Sequence, residues 1–186
     1  KYFFWGTHII DTSINSYEKI FLNFKRNAQR SIKNNHKFKI KEIDRSNLDE
    51  YLIWIKDNQS ITGKSNKINK KSYVYDLDNL NKKNYIYKIF VVYDEKMILG
   101  SISIWGFNNF ISERGVYRSK FSKINKYNEQ DLLKDWIIRF SLKNKISFFD
   151  LAGFNPNKKI SHKEESIKRY KEKFGGMKYI YQNINS

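Results

Sequence analysis

The stretch from Ser147 onward constrains this chain more than any other. Ser147-Phe148-Phe149-Asp150-Leu151 is a short apolar run that reads as a buried strand, and it ends on Asp150-Leu151-Ala152-Gly153. A polar loop follows. Ser161-His162-Lys163-Glu164 then has the form of a capping box, in which serine and glutamate satisfy the free amides of a helix start. The helix closes on Tyr170-Lys171-Glu172-Lys173-Phe174-Gly175-Gly176, where Gly175 can take the left-handed conformation that stops a helix. Met177 to Gln182 returns as a strand. The order sets a carboxylate, Asp150, and an ammonium, Lys171, near the ends of elements that can pack together.

The remaining composition narrows the chemistry. A chain of 186 residues fits one domain and can bury roughly 70% of its unfolded surface. Aromatic residues make up 17% of it, which supplies core material and argues against disorder. There is no cysteine, so disulfides, thiolate metal sites and cysteine nucleophiles are excluded. No apolar run reaches the ~20 residues of a membrane span, and Lys1 to His8 is too short and polar for a signal peptide. A cytoplasmic location is expected. The net charge of +17 suits a polyanionic partner, such as nucleic acid or the inner face of the cell membrane. The joint abundance of Lys, Asn, Ile and Tyr gives the alternative that the charge is compositional bias.

Along the chain, Ile9-Ile10 reads as a strand end. A helix is predicted from about Ser16 to Asn34, with Tyr17, Ile20, Phe21, Phe24, Ala28 and Ile32 on one face. Lys19, Asn23, Arg26, Arg30 and Lys33 line another face, either as a phosphate-binding stripe or as a solvated surface. Lys37 to Lys41 alternates like a strand. Ser46-Asn47-Leu48-Asp49 resembles a capping box before a second helix carrying Leu48, Leu52 and Ile55. Asn58 to Lys71 is a polar loop, and Tyr73, Val74, Leu77 and Leu80 suggest a third helix. Tyr85 to Tyr93, Met97 to Trp105 and Phe110 to Arg118 form an antiparallel block joined by Asp94-Glu95-Lys96 and Gly106-Phe107-Asn108-Asn109. Asn128 can cap a helix bearing Leu132, Leu133, Trp136, Ile137 and Phe140 on one face. The pattern predicts an α/β or α+β domain with a mixed, mostly antiparallel sheet and flanking helices.

Other motifs carry little. Gly63-Lys64-Ser65 lacks the first glycine of a P-loop, since Asn58 stands in its place. His8, His36 and His162 show no metal-ligand spacing, and no nucleophile elbow is present.

Several short segments, taken in order, resemble the Fem family of peptidoglycan-bridge aminoacyltransferases, which are built on the fold of the GNAT N-acetyltransferase superfamily. Asp150-Leu151-Ala152-Gly153 resembles the family's D-x-G-G strand end, with alanine for the first glycine. Tyr170-Lys171-Glu172-Lys173-Phe174-Gly175-Gly176 resembles its F-K-x-x-F-G-G helix end, with tyrosine for phenylalanine. Leu132-Leu133-Lys134-Asp135-Trp136 and the helix segment Arg26 to Lys33 resemble two further helices. The family pairs two such subdomains and one fits here, so the expectation is a single acyltransferase-type domain over residues 1–186, compatible with the C-terminal half of a longer protein. The resemblance implies an acyl donor that is aminoacyl-tRNA or acyl-CoA, an amine-bearing envelope precursor as acceptor, and no permanently bound cofactor. Acetyl-CoA enzymes of the superfamily hold pyrophosphate on a glycine-bearing helix start. Arg118 to Gln130, the corresponding place, has no glycine, which makes acetyl-CoA the weaker donor.

Acyl transfer to an amine needs a group to orient or deprotonate the amine, a cation or donor for the oxyanion, and positioning of both reactants. Asp150 is the candidate for the first task, or else a structural cap on the Gly153 loop. Lys171 is the candidate for the second, or else a solvated lysine on a basic helix. Arg26, Arg30 and Lys33 are candidate phosphate contacts. Gly153, Tyr170, Phe174, Gly175 and Gly176 are expected to shape the site. The competing functional readings are a non-catalytic basic RNA-binding module and a degenerate structural half of a two-domain acyltransferase.

Overall fold

Strand β1 (Tyr2–Asp11) opens the chain, and two short helices follow, α1 (Tyr17–Leu22) and α2 (Arg26–Asn34). After β2 (Lys39–Glu42) come α3 (Leu48–Asn58) and α4 (Lys70–Asn79). The central meander is β3 (Tyr85–Asp94), β4 (Met97–Phe107) and β5 (Phe110–Arg118). Then follow α5 (Lys120–Ile124), α6 (Glu129–Lys143), β6 (Phe148–Phe154), α7 (His162–Glu172) and β7 (Met177–Ile184). This is a computed structural model, and it describes residues 2–14, 16–35, 37–59, 68–80, 82, 84–157 and 160–184. Gly63-Lys64-Ser65 and His36 lie outside the described residues.

The strands form one seven-stranded sheet in the order β2-β3-β4-β5-β6-β1-β7. Every neighbouring pair is antiparallel except β5 and β6, which run parallel. A mixed, mostly antiparallel sheet with flanking helices is therefore what this sequence folds into. Helices α1, α2, α6 and α7 cover one face, where Ile102, Ile104, Ile111, Phe149, Leu133 and Ile137 make the larger core. Helices α3 and α4 cover the other face over β3, β4 and the Tyr117 end of β5, where Tyr51, Ile55, Ile89 and Val91 make a second core. Strand β3 is thus buried on both faces and reads as a near-continuous apolar run.

Four local expectations are corrected by the structure. The helix expected over Ser16 to Asn34 is broken at Asn23–Lys25, because Lys25 turns extended and its N–H donates to the Lys173 carbonyl at 2.8 Å. Phe24 swings into the core there, edge-on to Phe174 with ring centroids 5.4 Å apart. The Ser46–Asp49 box does not form: Asn47 is the cap residue, and its Oδ1 accepts from the Asp44 N–H at 2.9 Å instead. Asn128 precedes α6 but makes no side-chain cap bond. On α6, Trp136 is exposed, whereas Ile138 joins the core with Leu133 and Ile137. The capping box at Ser161 and Glu164 forms as read, and Gly175 stops α7 with φ of 69°.

Candidate functional site

Parallel pairing of β5 and β6 holds for only three positions, Phe110 with Phe148, Ile111 with Phe149 and Ser112 with Asp150. Beyond Ser112 and Asp150 the two strands no longer pair, although β5 continues to Arg118 and β6 to Phe154. Two irregularities accompany the separation. Strand β5 carries a bulge at Arg114, between Glu113 and Gly115. Strand β6 carries a second opposite His8, where Ala152 adopts φ of 61°. Bulges bend and twist a strand and end its pairing. The result is a gap in the middle of the sheet, with Asp150 at its apex.

Asp150 is held by backbone and side chains around the bulge. Its Oδ1 accepts from the Ala152 N–H at 2.8 Å and from the Thr7 hydroxyl of β1. Its Oδ2 has one long contact, from Ser112 Oγ at 3.4 Å. One oxygen therefore fixes the local turn while the other faces the open side of the sheet. Gly153 is required by close approach: a Cβ there would fall inside the Trp5 indole.

Lys171 comes to the gap from the helical side. The residue is 8% exposed, and its Nζ donates to the Gly153 carbonyl at 2.7 Å. Burial pulls its pKa down to about 8; Glu113 pulls upward, Lys134 further down, and Asp150 upward. Sequence alone offered a solvated lysine as the alternative, and the geometry removes it. Glu113 points from β5 toward the same region and is ion-paired with Lys134, which is 1% exposed. Tyr170 packs edge-on to Phe174, and its ring carries the Lys173 ammonium 4.3 Å from its centroid.

The structure brings Asp150, Gly153 and Lys171 together and separates the other candidates from them. Phe174 is core. Gly175 and Gly176 line a cavity of about 420 Å³ between β1, β7 and α1. Arg26, Arg30 and Lys33 line a shallow depression on α2, a neighbouring part of the helical layer.

Sequence reasoning missed the polar network at the start of α6. Glu129 is fully buried and accepts from Arg118 Nε at 2.6 Å and from the Ser122 hydroxyl. Asp131, also buried, pairs with Lys173 at 2.6 Å. Charges in a helix first turn read as solvent-facing in a sequence, and only the neighbouring Arg118 and Lys173 hint at partners. His8 was also passed over: it is buried against Phe154 with both ring nitrogens unpartnered, and burial lowers its pKa. No cluster suited to a metal ion exists among the described residues. No described helix is long and apolar enough to cross a membrane.

No family model and no curated protein matches the sequence. The solved structures do match. FemX superposes over 94% of this chain and 59% of its own, at 10% identity and a TM-score of 0.71. The C-terminal domain of a putative lysylphosphatidylglycerol synthetase from Agrobacterium fabrum superposes over 98% of this chain and 60% of its own, at 11% identity and a TM-score of 0.70. An aminoglycoside acetyltransferase from an uncultured soil metagenomic sample, in complex with sisomicin, covers 76% of this chain and 90% of its own, at 14% identity and a TM-score of 0.51. The chain thus spans about three fifths of the length of the first two. At these identities the likeness is one of fold, the fold that this chain shares with FemX, the synthetase domain and the aminoglycoside acetyltransferase.

Proposed function

We propose that this domain is an N-acyltransferase that moves an aminoacyl group from an activated ester to a primary amine of a cell-envelope precursor. The observation that carries this reading is the β5–β6 gap, with Asp150 on one side and the buried Lys171 on the other. In this scheme the acceptor amine is held at Asp150 Oδ2, which takes a proton from it. The amine nitrogen attacks the ester carbonyl carbon, forming a C–N bond and a tetrahedral oxyanion. The Lys171 ammonium stabilises that oxyanion. As the C–O bond breaks, Lys171 delivers a proton to the leaving ribose oxygen and recovers one from Asp150. An acceptor that arrives as an ammonium first gives one proton to solvent; atoms and charge then balance, since one N–H proton of the neutral amine ends on the released hydroxyl. A lysine with a pKa of about 8 suits a group that must give up and regain a proton near neutral pH.

Aminoacyl-tRNA is favoured over acyl-CoA as the donor. Helix starts bind pyrophosphate through free amides and a positive dipole end. Here the first turn of α6 carries buried Glu129 and Asp131, already paired with Arg118 and Lys173, so a second anion there meets two carboxylates. The cationic face of α2 offers Arg26, Arg30 and Lys33 to a polyanionic donor instead. Its first turn lies beside the end of α7, as the Lys25–Lys173 backbone bond requires. Thermal shift tests the choice. A tRNA bearing a non-hydrolysable aminoacyl amide, present at about 100 times its dissociation constant, is expected to stabilise the domain by about 2.7 kcal/mol. The effect is expected to survive moderate salt and to exceed that of uncharged tRNA. Stabilisation by acetyl-CoA alone would overturn the donor assignment, and equal response to any RNA would favour a simple RNA-binding module.

A further inference from the structure

On the side of the sheet opposite α6 and α7, helices α3 and α4 cover β3, part of β4 and the Tyr117 end of β5. Past them, one cross-strand row runs Trp105, Ser112, Asp150, Ile9 and Met177 on adjacent strands. Directly paired residues share a face, and neighbouring strands are about 4.8 Å apart, so Trp105 stands about 10 Å from Asp150. On the other flank Trp5 pairs with Tyr181 and Thr7 with Tyr179. These large side chains are not buried: Trp5, Trp105, Tyr179 and Tyr181 are each 44–46% exposed. Burial and the Asp150 carboxylate, in that order, raise the Tyr181 pKa, which agrees with the two sharing this face.

The face is also inverted in charge. The protein has 36 Lys and Arg against 19 Asp and Glu. Among the described side chains that β5, β6, β1 and β7 turn to this side, the carboxylates are Asp150 and Asp11. The one cation is Arg114, tied to Asp76 of α4 at 3.3 Å. A polyanion is repelled by such a surface, and two +17 chains repel one another as whole molecules. A small cation with ring-shaped apolar faces is complementary: rings stack on half-exposed aromatics, and an ammonium gains from both their π-faces and the carboxylate.

We infer that this face is the acceptor site and that it takes an amino sugar, whose ring lies on Trp105 or on the Trp5–Tyr181 pair with its ammonium at Asp150 Oδ2. The inference rests on the proposed acyl transfer and names the acceptor class for it.

Binding without any donor present tests it. Titration of the domain with a glucosamine disaccharide, followed by tryptophan fluorescence, is expected to give a saturable change. The N-acetylated disaccharide lacks the ammonium and is expected to bind about tenfold more weakly or worse. Ethanolamine has the ammonium but no ring, and is expected to be weaker by a similar factor of about ten. Trp105→Ala and Tyr181→Ala are each expected to weaken the disaccharide, with Trp105→Phe recovering part of the loss and circular dichroism checking the fold. Equal binding of the amino and N-acetyl sugars, or equal binding of ethanolamine, overturns the inference, as does no binding at all. The two levels of the account fail separately. Saccharide binding with no transfer from any donor sinks the acyl-transfer reading. Transfer to a lysyl peptide, with the saccharide neither bound nor acylated, sinks the amino-sugar acceptor and leaves acyl transfer standing.

Discussion

Replacing Lys171 with methionine is expected to cut acyl transfer by about 10²–10³, the usual cost of one lost oxyanion partner, while leaving the domain as stable as before or more so. The two halves of that result have one cause. Burial lowers the pKa of Lys171 from 10.5 to about 8, so folding disfavours the protonated form. The penalty is full below pH 8, shrinks between pH 8 and 10.5, and is gone above that range. The shift corresponds to a cost on the order of 3 kcal/mol at neutral pH. The bond to the Gly153 carbonyl offsets it by about 1 kcal/mol. Chemical denaturation of both proteins is expected to favour the variant by up to about 2 kcal/mol at pH 7, with the difference closing toward pH 10. In the wild type the transfer rate is expected to fall as pH rises through about 8, because the ammonium is the working form. A variant that is inactive and unfolded, or stable and fully active, removes the role assigned to Lys171.

The second large effect is structural and feeds back on the first. Lys134→Met is expected to cost about 3–5 kcal/mol, since it leaves the buried Glu113 carboxylate without its partner. The double variant Lys134→Met with Glu113→Leu is expected to regain most of that loss, because a buried ion pair replaced by apolar groups of similar volume is often neutral. A double-mutant cycle in urea measures the coupling directly. Lys134 adds to the effect of burial in depressing Lys171. In the single variant, therefore, the alkaline limb of the pH–rate profile is expected to move upward. Additive losses in the cycle would show that the two residues are not a coupled pair.

What could be read from the sequence follows the range of the interactions that decide each element. The capping box at Ser161 and the Gly175 stop are local, satisfied within one turn of helix, and both form as read. The strands of the central meander are long, rich in Ile, Val and Phe, and joined by turn residues, so they too were legible. The break between α1 and α2 was not. Tyr17, Ile20, Phe24 and Ala28 keep helical spacing straight through it, and the helix yields because Lys25 finds a backbone partner in Lys173, far along the chain. Strand β1 was visible only at Ile9-Ile10, although it spans Tyr2–Asp11, because Gly6 and Thr7 obscure the alternation. Helix α5 is a single short stretch capped by Ser119 and leaves little periodic signal. For the site, Asp150 and Lys171 could be singled out from their places at element ends. The burial of Lys171 could not, because it depends on two strands parting after Ser112 and on Glu113 and Lys134 meeting from different elements.

The most direct test of acyl transfer at the sheet gap is a crystal structure with a short RNA mimic bearing a non-hydrolysable aminoacyl amide. The account predicts the acyl carbonyl between β5 and β6, its oxygen about 2.7–3.1 Å from the Lys171 ammonium, and the carbonyl carbon open to the Asp150 side. An acyl group bound elsewhere, with the gap still closed by the Lys171–Gly153 contact, would contradict it.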